Sequence, residues 1–113
     1  MHTVLETPIF RADCKSAGVT EAELRQIIDV IAANPLAGDL IPGTGGARKL
    51  RFARQGRGKS GGYRTIHYFG GEDVPVFLLA LVAKSQRTDL AQKERNRLRD
   101  ILPKLAEAYR SKG

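Results

Sequence analysis

Between Leu40 and Gly71 the chain carries seven basic residues and no acid: Arg48, Lys49, Arg51, Arg54, Arg57, Lys59 and Arg64. Arg48 to Ala53 alternates basic with apolar, so Lys49 and Arg51, two apart, share one face of a strand. Arg64 stands near the start of a second extended segment, and Lys84 and Arg87 follow a third. In an antiparallel arrangement of those three segments the cations converge. Cleaving RNA without a metal needs a base for the ribose 2′-OH, positive charge for the pentavalent phosphate and a donor for the departing 5′-oxygen. Arginine supplies fixed bidentate donors to phosphate. A lysine crowded by cations loses its proton more easily and can serve as the base. The same residues can instead only grip phosphates, and on residue types alone gripping is the simpler reading.

Other chemistries find less support. Metal-assisted phosphodiester cleavage needs clustered carboxylates, and here the acids are scattered along helices and turns. With one cysteine, Cys14, and two histidines, His2 and His67, no internal disulfide and no metal-ligand spacing exists, and no cofactor is indicated. Cys14 reads as a small buried residue. His67 can titrate near neutrality but is flanked by Ile66 and Tyr68 in a strand, and it is held as a reserve candidate. Gly43-Thr44-Gly45-Gly46 lacks the Gly-Lys-Ser/Thr ending of a phosphate loop. Gly56-Arg57-Gly58-Lys59-Ser60-Gly61-Gly62 contains that ending but lacks the earlier glycine and precedes a strand, so it reads as a basic hairpin loop.

The elements that must position the cations can be read in order. Thr3 to Thr7 alternates weakly as a first strand, Pro8 fits the first turn of a helix over Ile9 to Ser16, and Gly18 ends it. Thr20 to Glu23 is a capping box, after which Leu24, Ile27, Ile28 and Ile31 recur at helical spacing until Asn34-Pro35 stops the helix. Residues 35 to 46 hold two prolines and four glycines and read as loop. Three strands follow: Arg48 to Ala53, Tyr63 to Phe69, and Val74 to Ala83, the last apolar on both faces as befits a central strand. From about Ala91 a charged helix begins. Leu98, Ile101, Leu102, Leu105 and Tyr109 form its apolar side, and Pro103 is expected to kink or break it. At 113 residues, 42% apolar and 27% charged, the expectation is one α/β (α+β) domain over residues 1–113: a strand, two helices, a three-stranded antiparallel meander and a final helix.

The net charge of +7 resides wholly in the stretch from Leu40 to Gly71, since the remainder balances 12 basic against 12 acidic residues. Solubility does not require such segregation, so a polyanion is the expected partner, with Arg48, Arg54, Arg57 and Lys59 contacting RNA backbone. An anionic membrane ranks last because the stretch has no amphipathic helical pattern. The longest apolar run, Val74 to Ala83, is half a membrane span, and the N-terminus shows no basic-then-apolar signal. A cytoplasmic chain follows.

Three motifs, Gly43-Thr44-Gly45-Gly46-Ala47-Arg48-Lys49-Leu50-Arg51, Gly56 through Arg64, and Leu81-Val82-Ala83-Lys84 with Thr88-Asp89-Leu90, together resemble the HigB-like branch of the RelE/ParE toxin superfamily. The resemblance covers nearly the whole chain in order. It implies a compact RNase-like fold that enters the ribosomal A site and cuts the bound mRNA, as the toxin of a type II toxin–antitoxin pair. It also implies a cognate antitoxin, of the helix-turn-helix HigA kind, and the 70S ribosome as partners. By position, Lys49 and Arg51 match the family's basic pair, Arg64 its phosphate-contacting arginine, and Lys84 and Arg87 its basic segment after the last strand. The chain departs where the family pattern has an arginine, here Ser85, and a catalytic tyrosine, here Ala91. Tyr68, Lys84 or Arg87 are the candidates to replace them, unless ribosomal RNA contributes. The competing readings are a ParE-like toxin that binds DNA gyrase without catalysis, and a non-catalytic RNA-binding module.

Overall fold

The computed structural model describes residues 2–53, 62–83 and 90–112. Strand β1 (Val4–Glu6) leads into helix α1 (Pro8–Ala17). Thr7 caps it by accepting from the Phe10 amide at 3.2 Å, Pro8 occupies the first turn, and Gly18 closes it in a left-handed conformation at φ 69°. Helix α2 (Glu21–Ala33) carries the capping box foreseen: Glu23 N donates to Thr20 Oγ1, and Thr20 N donates to Glu23 Oε1. Of its apolar stripe, Ile27 and Ile31 are buried and Leu24 and Ile28 pack against them.

Residues 35 to 46 contain one element that their composition hid. Asp39–Leu40 forms a two-residue strand, β2, antiparallel to β3 (Ala47–Phe52). Thr44 closes the hairpin by donating to Ile41 O at 2.7 Å and accepting from Ala47 N at 3.1 Å. β3 pairs antiparallel with β4 (Tyr63–Tyr68), and β4 with β5 (Val76–Ala83). β5 starts two residues later than its apolar run, because Val74 and Pro75 belong to the preceding turn. β1 then adds in parallel to the far side of β5, giving the sheet order β1-β5-β4-β3-β2. A register shift between Ile66 and His67 lets Leu79 bulge from β5.

The strands' alternation divides the sheet into two covered faces. On one, Phe10, Cys14, Ile27 and Ile31 from α1 and α2 pack on Tyr63, Val76, Leu78 and Leu81. On the other, helix α3 (Gln92–Lys112) sets Leu102 onto Ile41, Ala47 and Ile66. β5 is thus covered on both sides, as its composition requires.

Of the kink or break expected at Pro103, the break does not occur; the helix runs through it. Both halves are held from outside. Arg95 donates to Pro42 O near the first turn, while Arg110 near the last pairs with Asp73 and donates to Gly70 O. Between them Leu102 and Ala106 are buried. These tertiary contacts offset the missing amide at residue 103. The apolar side of α3 is narrower than its sequence suggests, because Ile101 and Tyr109 remain 45% and 41% exposed.

Candidate active site

The β3–β4 register decides which cations meet. Arg51 lies directly opposite Arg64, and Lys49 opposite Ile66. Since Ala47 and Ile66 are buried under α3, alternation places Lys49, Arg51 and Arg64 on that same face of the sheet. Opposite residues in an antiparallel pair have Cα atoms about 4.5–5.5 Å apart, and like charges in that relation repel. Among the described residues, neither Arg51 nor Arg64 has a carboxylate within ion-pair distance. Arg51 is exposed and Arg64 half-buried. Register therefore brings two arginines directly opposite each other, without an acidic partner among the described residues, an arrangement suited to receiving a phosphate.

Tyr68 shares this face but sits at the other end of β4, opposite Ala47. It is four residues from Arg64, about 13 Å along the strand, and the buried contact of Leu102 with Ile66 and Ala47 lies between. Its ring is held edge-on by two glycines: a Cβ on Gly46 would approach it at 3.2 Å, and one on Gly70 at 3.1 Å. The structure does not bring Tyr68 to the arginine pair.

Arg48 is set apart on the opposite face. Its guanidinium donates to Leu36 O at 3.0 Å and Gly38 O at 3.2 Å, which fastens the loop before β2. Gly38 has φ +87°, and any Cβ there would stand 2.3 Å from Lys49 O, so the loop's path demands glycine. Directly across from Arg48, His67 is fully buried, with Nε2 in hydrogen-bond contact with Pro35 O at 3.0 Å. Burial lowers the His67 pKa from 6.5, the bond to Pro35 opposes this, and the Arg48 charge adds to the lowering. A neutral imidazole donating to Pro35 fits that environment, so His67 is a structural residue. Cys14 is likewise inert: burial, then the charges of Glu6 and Asp13, push its thiol up to about 11.

Lys84 and Arg87, and the loop cations Arg54, Arg57 and Lys59, lie outside the described residues, as does Ser85. Ala91 is exposed, and its amide donates to Glu94 Oε1 at 3.0 Å at the start of α3. Tyr63, of the Gly-Tyr-Arg motif, points into the α2 core and donates to Glu23 Oε1 at 3.3 Å, so only Arg64 of that pair faces the site. Among the described residues no group of three or more His, Cys, Asp or Glu side chains is placed to hold a metal ion.

The fold adds a charge asymmetry that composition along the chain did not reveal. α3 holds seven basic and three acidic residues, whereas α1 and α2 together hold three basic and four acidic. α3 lies on the face of Lys49, Arg51 and Arg64, and α1 and α2 on the other, so the face of the arginine pair is the more positive.

The family model described as the RelE toxin of the RelE / RelB toxin-antitoxin system matches residues 2–112. The chain belongs to the RelE toxin family. It is a toxin of a toxin–antitoxin system, and its family membership carries with it a cognate antitoxin partner. In this RelE-family chain register brings the basic residues of β3 and β4 together, sets Arg48 on the other face where it donates to Leu36 O and Gly38 O, and leaves Tyr68 at the far end of β4. No helix of the described residues is long and apolar enough to cross a membrane.

Proposed function

We propose that this toxin is a ribosome-dependent endoribonuclease of the HigB-like branch, acting in the cytoplasm on mRNA held in the ribosomal A site. One observation carries the reading: Arg51 and Arg64 face each other across β3 and β4 without acidic partners among the described residues. A pair of arginines on one sheet face supplies positive charge for the extra negative charge that a phosphate gains when the 2′-oxygen attacks it. Lys49, one position along the same face from Arg51, is the nearest described candidate for the base. Lys84 and Arg87 are proposed to complete the site from the segment after β5. The reaction needs no metal in this scheme: the 2′-oxygen attacks phosphorus, its proton passes to the base, and the 5′-oxygen leaves with a proton from a cationic donor. Among the described residues this site has nothing of its own to hold RNA in line for attack, so in this scheme the ribosome supplies that alignment. Arg54, Arg57 and Lys59 are proposed to grip ribosomal RNA.

The test is single-turnover cleavage on programmed ribosomes, with ribosome binding measured separately. Arg51→Ala and Arg64→Ala are expected to slow cleavage at saturating ribosome by about a hundredfold or more, the usual cost of losing one preorganised donor. Full single-turnover rates in both variants would reduce the cluster to an RNA-gripping patch.

A further inference from the structure

The Arg51–Arg64 rung is the last but one of the β3–β4 ladder, and Phe52 with Tyr63 forms the last. Like charges directly opposed across two strands push them apart. The end of a ladder is also where pairing opens most easily. The arginine pair is thus placed where its own repulsion opens the sheet most readily, unless that end is closed by other means.

Two features close it. Gly62 leads into β4 with its backbone so near β3 that a Cβ would stand 2.9 Å from Phe52 O. Tyr63, 2% exposed, then sets its ring in the α2 core, where its hydroxyl donates to Glu23 Oε1 at 3.3 Å. That oxygen is itself fixed. It also accepts from Thr20 N at 2.9 Å, while Glu23 N donates to Thr20 Oγ1 at 3.1 Å, so the acceptor belongs to the capping box at the start of α2. Both Tyr63 and Glu23 are buried. Opening the end of β4 withdraws the hydroxyl from the carboxylate inside the protein, and stranding buried polar groups opposes that motion.

We infer that Tyr63 is a positioning residue, whose hydroxyl bond to the α2 capping box pins the end of β4 against the Arg51–Arg64 repulsion and keeps the two arginines in register. This rests on the assignment of that pair to RNA cleavage. Tyr63 faces away from the pair and acts through the backbone it shares with Arg64. The strut joins the first turn of α2 to a strand 40 residues further along the chain.

Tyr63→Phe keeps the buried ring and removes only the hydroxyl. In the full-length toxin it is expected to slow single-turnover cleavage on programmed ribosomes about tenfold at saturating ribosome, with the half-saturating ribosome concentration unchanged. Glu23→Gln retains an acceptor oxygen and the capping box, and is expected to cut at the wild-type rate. Ile31→Val, a core change in the same helix, is expected to lower the melting temperature without slowing cleavage. A second measurement needs no cleavage. Amide hydrogen exchange in the last two rungs of β3–β4 should quicken about fivefold in Tyr63→Phe at low salt, the weight of one ordinary hydrogen bond, and slow again when Arg51→Gln is added. Wild-type cleavage by Tyr63→Phe overturns the proposal, as does equal slowing in Glu23→Gln or Ile31→Val. Exchange that Tyr63→Phe leaves unchanged, or that Arg51→Gln does not restore, overturns it too. If the wild-type chain leaves ribosome-bound mRNA intact, the nuclease reading falls, and the exchange result alone decides the anchor.

Discussion

Removing one member of the Arg51–Arg64 pair should make the protein more stable while disabling it. The two residues are directly opposed across β3 and β4 and lack ion-pair partners among the described residues. Two unit charges about 7 Å apart in a water-like dielectric repel by about 0.6 kcal/mol by Coulomb's law, which sets the scale taken for this pair. Arg51→Gln or Arg64→Gln keeps the side-chain stem and removes the repulsion. For a domain of this size that corresponds to a rise of about 2–3 °C in melting temperature. The double variant should gain little more, because either single change already removes the pairwise interaction. The assay is thermal unfolding at low salt and again at about 1 M salt, where a screening length of about 3 Å should erase the gain. Single variants that lose more than about 1 kcal/mol, or a gain that persists at high salt, would refute the picture of an unneutralised pair maintained for its ligand.

Three further outcomes follow from the residues set apart from that pair. His67 is held neutral in the folded chain while its unfolded value is near 6.5, so protons bind the unfolded state preferentially. Stability should therefore be intact above about pH 6.5 and fall as pH drops below it, and His67→Gln, which keeps a donor for Pro35, should flatten that slope in denaturant titrations at several pH values. Arg48→Ala, losing bonds to Leu36 O and Gly38 O, should cost about 1–2 kcal/mol of stability yet leave cleavage by the folded fraction near wild type; a large cleavage defect at full folding would return Arg48 to the site. Gly38→Ala forces a Cβ against Lys49 O at a positive φ and should cost more than about 2 kcal/mol in urea unfolding.

Much of this protein was legible along the chain because the signals are local. The capping box at Thr20 and Glu23, the α2 stripe, the proline at the start of α1 and the doubly apolar β5 each depend on neighbours within a few residues. The family motifs and the segregated charge named Lys49, Arg51 and Arg64 as candidates on the same grounds. What alternation along one strand cannot supply is the partner strand's register and the identity of the covered faces. Arg48 and Lys49 are adjacent basic residues with no local distinction. Only the sheet sends one to clamp Leu36 and Gly38 and the other to the side of the arginine pair. Tyr68 is on the right face but at the wrong end of β4, and no pattern within the strand measures that distance. Pro103 obeys a local rule that contacts at Pro42, Asp73 and Gly70 override. Ile101 belongs to a helical stripe by spacing, yet it stays 45% exposed and lines a groove together with Ile9, from 92 residues away in the chain. Local chemistry is written in consecutive residues; opposition, distance and exposure exist only once distant segments pack.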